Sequence, residues 1–362
     1  MASEKQTQKA GNGATQIQVE SLTIINNDIT EERVREICNE LIPKILQEYT
    51  DDATNTARSR IEKFEDELLP RVERVEKMLP AFADPAFQFA LKSAQRAAAA
   101  TERQDDYALL SELLVCHVQK GNNRKNRAGI SRAIEIVNEI DNDALCALTI
   151  THALNQFIPV SGNCLEGLQN LNDMFGKLMY QSLPTGNEWL DHLDVLGAIR
   201  LYSFGNMKKI SEYYSSLLNG YVCIGIKKDT DTHNNALSIL DSAHIPTDFL
   251  APNECLDNYV RLKIYSNKAI DKLLYINGME TTPLSDDQKS AIKQVWGMYT
   301  KDSALQNQVE TRFIEIWNSF ESLNKLRTWW DSLSQAFSIT QIGQVLAQTN
   351  AKRCDPNLPD LI

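Results

Sequence analysis

The chain has no apolar run approaching the roughly 18 residues that a bilayer-spanning helix needs, which excludes a membrane pore built from this chain alone. It is also short of positive charge. Lys and Arg number 37 against 48 Asp and Glu, a formal net charge of -11 with a pI of about 5.1. That balance disfavours broad electrostatic attraction to nucleic acid or an anionic membrane and leaves a local basic patch as the route to phosphate. The seven cysteines (38, 116, 146, 164, 223, 255 and 354) are scattered, without a Cys-x-x-Cys. Their number is odd and no secretory signal opens the chain, so reduced thiols and a cytoplasmic location are expected.

Catalytic signatures are absent as well. There is no Gly-x-x-x-x-Gly-Lys-Ser/Thr: Gly162-x-x-x-x-Gly167 is followed by Leu168, so a phosphate cradle there would have no lysine. Gly-x-Gly-x-x-Gly, Gly-x-Ser-x-Gly, His-Glu-x-x-His and the deaminase pairing of His-x-Glu with Cys-x-x-Cys are missing too. None of the five histidines follows an arginine with four to six residues between them, the spacing of small helical RNases. No cofactor is expected.

What is present begins with a polar start, residues 1–10, and a strand-like lead over residues 14–27. Apolar residues alternate with polar ones at Ile17 and Val19, then shift phase to Leu22 and Ile24. Such alternation is the mark of a half-buried strand, and the phase change suggests a bulge. A lone strand is marginal in water. Since no other segment offers a convincing partner, Ile17, Val19, Leu22 and Ile24 are the expected oligomerisation residues, pairing with copies of the chain or with another protein.

The rest reads as helices. Over 28–80, Thr30 and Asp28 are cap candidates, and apolar residues recur at Val34, Ile37, Leu41 and Ile45, then at Ala57, Ile61, Phe64, Leu68 and Val72. Pro43 and Pro70 should kink or break these helices. The polar face reads as solvated, with an intermolecular coiled coil as the sharper alternative. Asp84-Pro85 caps the first of several antiparallel helices in 81–220, with turns at Gly121-Asn122-Asn123 and Asp141-Asn142-Asp143. No fixed repeat period is found. Residues 221–226 form the only other β-like run. In 221–362, Ser285 and Gln288 make a capping box and Ser338-Ile339-Thr340 heads a last helix. The organisation expected is therefore a β-like assembly segment to residue 27, long amphipathic helices over 28–80, an antiparallel array over 81–220 and a C-terminal helical domain over 221–362. The fold class is all-α, a multi-helix array or bundle.

Weak constellations remain. Asp229, Asp231 and His233 would place three ligands on one side of an extended segment, although a polar loop is the plainer reading. Asp191, His192 and Asp194 offer an imidazole beside carboxylates but no nucleophile. Cys116-His117 sits on an apolar helix, where neighbours face different ways. Arg124, Lys125 and Arg127 form a basic cluster in an interhelix loop and are the candidate phosphate contact, against the plainer reading of a solubilising loop. Core packing is the default for Trp296, Trp317, Trp329 and Trp330, but Trp329 and Trp330 are neighbours that cannot easily both point inward, which makes one of them a candidate interface anchor.

Several segments together resemble a poorly characterised bacterial family of helical proteins. They are Gly11-Asn-Gly-Ala-Thr-Gln-Ile-Gln18, Ile29-Thr-Glu-Glu-Arg-Val-Arg-Glu-Ile-Cys38, Phe82-Ala-Asp-Pro-Ala-Phe-Gln-Phe-Ala-Leu-Lys-Ser-Ala-Gln95, Leu109-Leu-Ser-Glu-Leu-Leu-Val115, Ala133-Ile-Glu-Ile-Val137, Ser338-Ile-Thr-Gln-Ile-Gly343 and Asn350-Ala-Lys-Arg353. The resemblance implies a helical fold and an accessory or phage-defence setting, and it carries no catalytic residue. The tail departs from it, with Asp355-Pro-Asn-Leu-Pro359 where the family has a glycine-rich stretch. The leading expectation is a non-catalytic, homo-oligomeric sensor or scaffold whose partners are copies of itself and a protein of the same operon or a phage component. The alternatives are a metal-dependent nuclease or nucleotide hydrolase built from distant carboxylates, and an antitoxin-like partner protein.

Overall fold

A computed structural model describes residues 30–46, 50–75, 78–121, 123–277 and 280–360. The lead with Ile17, Val19, Leu22 and Ile24 lies outside the described residues. The fold is predominantly helical, as the periodicity predicts.

Helix α1 (Glu31–Leu46) begins where the Thr30 hydroxyl accepts from the Arg33 amide. Helix α2 (Asp51–Arg74) buries Ala57, Ile61, Phe64, Leu68 and Val72, the expected stripe. That stripe packs on α4 (Pro85–Ala100) and α5 (Gln104–Lys120), which follow a short α3 (Met78–Ala81): Phe64, Leu68 and Val72 join the large core, and Ala57 and Ile61 a small cluster with Ile42, Ile45, Leu46 and Ala99. It is therefore not free to form an intermolecular coiled coil. Neither proline ends its helix: Pro43 and Pro70 lie inside α1 and α2, which continue to Leu46 and Arg74. Each helix runs on for only about one turn past its proline. Asp84 accepts from the Ala86 amide and Pro85 fills the first position of α4.

Helix α6 (Arg124–Ile136) packs on α4 and α5, and α7 (Asn142–Gln156) joins this group through the last helix of the fold. Helix α7 is buried almost all round, from Ala144 to Leu154, as a central helix must be. Around it lie α8 (Cys164–Leu178), α9 (Glu188–Val195) and α10 (Ile210–Leu217). The chain returns late to this body through α13 (Ser303–Ser319), α14 (Glu321–Ser332) and α15 (Gln341–Cys354). Helix α15 packs on α5, α6, α7 and α8, so the last helix closes the first half of the fold.

Short strands punctuate the later half. β1 (Ile199–Leu201) pairs antiparallel with β7 (Phe337–Ile339). β2 (Ile226–Lys227), β3 (Leu250–Pro252) and β4 (Tyr259–Leu262) form a sheet in the order β2-β4-β3, and β5 (Leu274–Asn277) pairs with β6 (Glu280–Pro283). The β-like run 221–226 contributes only Ile226 to a strand. Helices α11 (Asp231–Ser242) and α12 (Asp286–Gly297) cover this unit, whose core, from Ile226 to Val295, is separate from the large one.

Trp329 and Trp330 are both buried, so neither is the outward anchor expected of one of them. Helix α14 lies between two neighbouring segments. One indole donates to the Pro184 carbonyl at 2.9 Å and the next to the Lys208 carbonyl at 2.8 Å.

Candidate functional site

Four helices converge on a cleft of about 180 Å³, each contributing residues one turn apart. Helix α5 supplies Cys116 and Lys120, α6 supplies Asn126 and Ile130, and α7 supplies His152 and Gln156. Helix α15 adds Gln341, Gln344, Val345, Gln348 and Thr349. Gly129 permits the close approach of α6 to α15, since a Cβ there would come within 3.1 Å of the Gln341 Cγ.

The polar groups are organised. Gln341 Nε2 donates to Asn126 Oδ1 at 3.0 Å. Gln348 Nε2 donates to the Pro359 carbonyl at 3.1 Å, which turns its Oε1 toward His152 Nε2 at 2.9 Å. His152 therefore donates from Nε2. Burial lowers its pKa below the usual imidazole value, against the opposing bond to Gln348, so it stands neutral. Burial raises the Cys116 thiol, which lies 3.9 Å from the Thr349 hydroxyl. A thiol kept protonated is a poor nucleophile. Apart from Lys120, the side chains that line the cleft are uncharged.

The basic cluster lies beside this cleft but not in an interhelix loop. Arg124, Lys125 and Arg127 occupy the start of α6, capped by Asn123, whose side chain accepts from the Lys125 amide at 2.9 Å. Helical residues step by about 100° around the axis, so Arg124 and Arg127, three apart, share a face and Lys125 points away from it. Arg124 and Lys125 are exposed, while Arg127 is half-buried near His117 and helps burial lower that histidine's pKa. Asn126, between them, is the residue that faces the cleft.

The other constellations have structural work. Thr230 caps α11 and its hydroxyl accepts from the His233 amide, while the His233 ring accepts from the Asp229 amide at 3.3 Å. His192 Nε2 accepts from the Asp141 amide at 3.2 Å, and Asp194 accepts from the Leu201 amide at 3.2 Å. Among the described residues, no group of three His, Cys, Asp or Glu side chains converges as a metal site requires. The glutamines of α15 went unread in the sequence. Their signal is Gln341, Gln344 and Gln348 on one face of the helix, and it gains meaning only once α5, α6 and α7 lie opposite.

A family model whose description reads ":-like" matches residues 29–360. No curated protein and no solved structure matches the chain.

Proposed function

The chain belongs to the family of that model, and we propose that it is a non-catalytic, homo-oligomeric sensor or scaffold of the cytoplasm. The observation that carries this reading is a set of large exposed apolar side chains close to β1 in the sequence. Val195 is 83% exposed, Tyr202 51% and Phe204 93%, and all three lie within a few residues of β1. Large exposed apolar side chains gathered at one place mark interaction surfaces. The alternating pattern at Ile17, Val19, Leu22 and Ile24 supplies a second, independent motive for self-association. Free and mostly buried cysteines accord with a reducing compartment. The phage-defence setting, with a phage component or a protein of the same operon as partner, rests on the family resemblance alone.

Light scattering on the full chain and on a chain lacking residues 1–27 tests the reading. Full-length protein should have the mass of an oligomer, and the shortened chain a smaller one. Equal masses would remove assembly through the lead. Co-expression with the neighbouring open reading frame tests the hetero-partner directly.

A further inference from the structure

Two cysteines far apart in the sequence meet where the β2-β4-β3 unit joins the helical body. Cys164 is the first residue of α8, and Cys255 lies in the connection between β3 and β4. Both are free thiols, and the Cys164 thiol donates a hydrogen bond to the Cys255 sulfur. Their backbones are anchored too. The Cys164 amide donates to Glu254 Oε1 at 2.9 Å, and the Cys255 amide donates to Asn253 Oδ1 at 2.8 Å. Glu254 is itself held by Arg261 at 2.7 Å. The two sulfurs therefore already face each other, as disulfide formation requires.

The pair differs in access and in acidity. Cys164 is 0% exposed, whereas Cys255, at 6%, lines a surface cleft of about 710 Å³ with Asn307, Thr311 and Arg312 of α13. The bond from Cys164 pulls the Cys255 thiol below its ordinary value, against burial and the Glu254 charge, and the Arg261 and Arg312 charges pull the same way. The same bond holds the proton on Cys164 and raises that thiol. Burial raises the thiols of Cys38, Cys116, Cys146, Cys223 and Cys354, so Cys255 is the one cysteine of the seven whose thiolate is favoured. Thiolate character and access select the cysteine that an oxidant attacks, and a second thiol beside it resolves the product.

We propose that Cys255 and Cys164 are a site of oxidation by peroxide, Cys255 attacking and Cys164 resolving, whose disulfide fastens the β2-β4-β3 unit to the helical body. The Cys255 thiolate attacks one oxygen of hydrogen peroxide, the O–O bond breaks, and the departing hydroxide takes a proton from solvent to leave as water. Cys255 is then a sulfenic acid. The Cys164 sulfur attacks the Cys255 sulfur, the S–O bond breaks, and the Cys164 proton leaves with the hydroxyl as a second water. The two thiols together lose two electrons and the peroxide gains them. This site does not depend on whether the chain self-associates.

Peptide mapping of the full chain tests it, after brief treatment with hydrogen peroxide and blocking of the remaining thiols with iodoacetamide. The free thiols should fall from seven to five, with a peptide that joins Cys164 to Cys255, and dithiothreitol should restore all seven. In Cys164→Ala, Cys255 should stop at the sulfenic acid and take up dimedone. In Cys255→Ala, Cys164 should stay reduced. The proposal is overturned if Cys164 and Cys255 remain alkylated while Cys116 or Cys354 is oxidised, if either is found joined to Cys223 instead, or if Cys164 is oxidised equally well without Cys255. The wild-type map decides the pairing even where a variant fails to fold.

Discussion

Arg261 is 1% exposed, and a buried guanidinium needs a partner for nearly every donor. Glu254 takes two of them, at 2.7 Å from Nε and 2.8 Å from Nη2. The carbonyls of Gly162 and Leu262 accept from Nη1 at 3.0 Å, and the Tyr221 ring lies 5.3 Å from the guanidinium carbon. Glu254 also accepts from the Cys164 amide at the start of α8, so the pair ties the β2-β4-β3 unit to the helical body. Glu254→Ala strands the cation and should cost about 3–5 kcal/mol in urea unfolding. A loss below about 1 kcal/mol, the range of a surface pair, would contradict this account. His117 and His152 make a second prediction. Burial is the leading cause that lowers both pKa values, so the folded chain resists protons that the unfolded chain accepts. Their stabilising effect is complete above about pH 6.5, the unfolded value, and is lost as pH falls below it. The melting temperature should therefore drop between about pH 7 and pH 5.5. His117 Nε2 has no hydrogen-bond partner among the described residues, so His117→Leu should flatten that slope at little cost to stability. A slope identical in wild type and variant would assign the effect elsewhere. Glu65 and Asp106, raised chiefly by burial, act with the opposite sign, destabilising as pH rises from roughly 4 toward their folded values.

Helix α15 is positioned at its first turn. The Thr340 hydroxyl accepts from the Gly343 amide at 3.3 Å and donates to the Gly197 carbonyl at 2.6 Å, which joins the helix cap to the loop before β1. Further along, Asn350 donates to Thr149 Oγ1 at 2.9 Å and to the Tyr180 hydroxyl at 3.0 Å in the buried contact with α7. Thr340→Ala should lower stability by about 1–2 kcal/mol. Gly343→Ala should cost more, because its Cβ would come within 2.1 Å of the Ala198 carbonyl oxygen, which is backbone and has little room to yield. Denaturant midpoints order the two variants, and the reverse order would show that α15 can shift without penalty. The start of this helix was legible in the sequence for the same reason as Asp84-Pro85 and the Ser285 box: a cap is written in neighbouring residues. The strands were not. β1 and β7 have three residues each, too few to display an alternation, and each is a strand only because the other, far away in the sequence, lies beside it. The cleft stayed hidden for the same reason, since its residue pairs on four helices are ordinary polar positions until packing makes them face one another.

The large core runs from Val34 to Ala351, and the separate one from Ile226 to Val295 belongs to the unit inserted between α10 and α13. Amphipathic stripes told which residues go inside, but a stripe does not say which core it joins. The return of α15 to α5, α6, α7 and α8, and of α14 to α8 and α10, makes the body one piece. Because the insertion buries fewer apolar side chains, its opening should need less free energy than opening of the body. Native-state hydrogen exchange in rising denaturant should therefore show amides of β2, β4, α11 and α12 losing protection together, before those of α5, α7 and α15. The Arg261–Glu254 pair and the Asn253 side chain, which donates to the Cys223 carbonyl at 2.7 Å, set the coupling between the two groups. Glu254→Ala should accordingly bring the insertion's exchange to lower denaturant while moving the body's less. If both groups exchange at one midpoint in wild type and variant alike, the two cores unfold as a single cooperative unit.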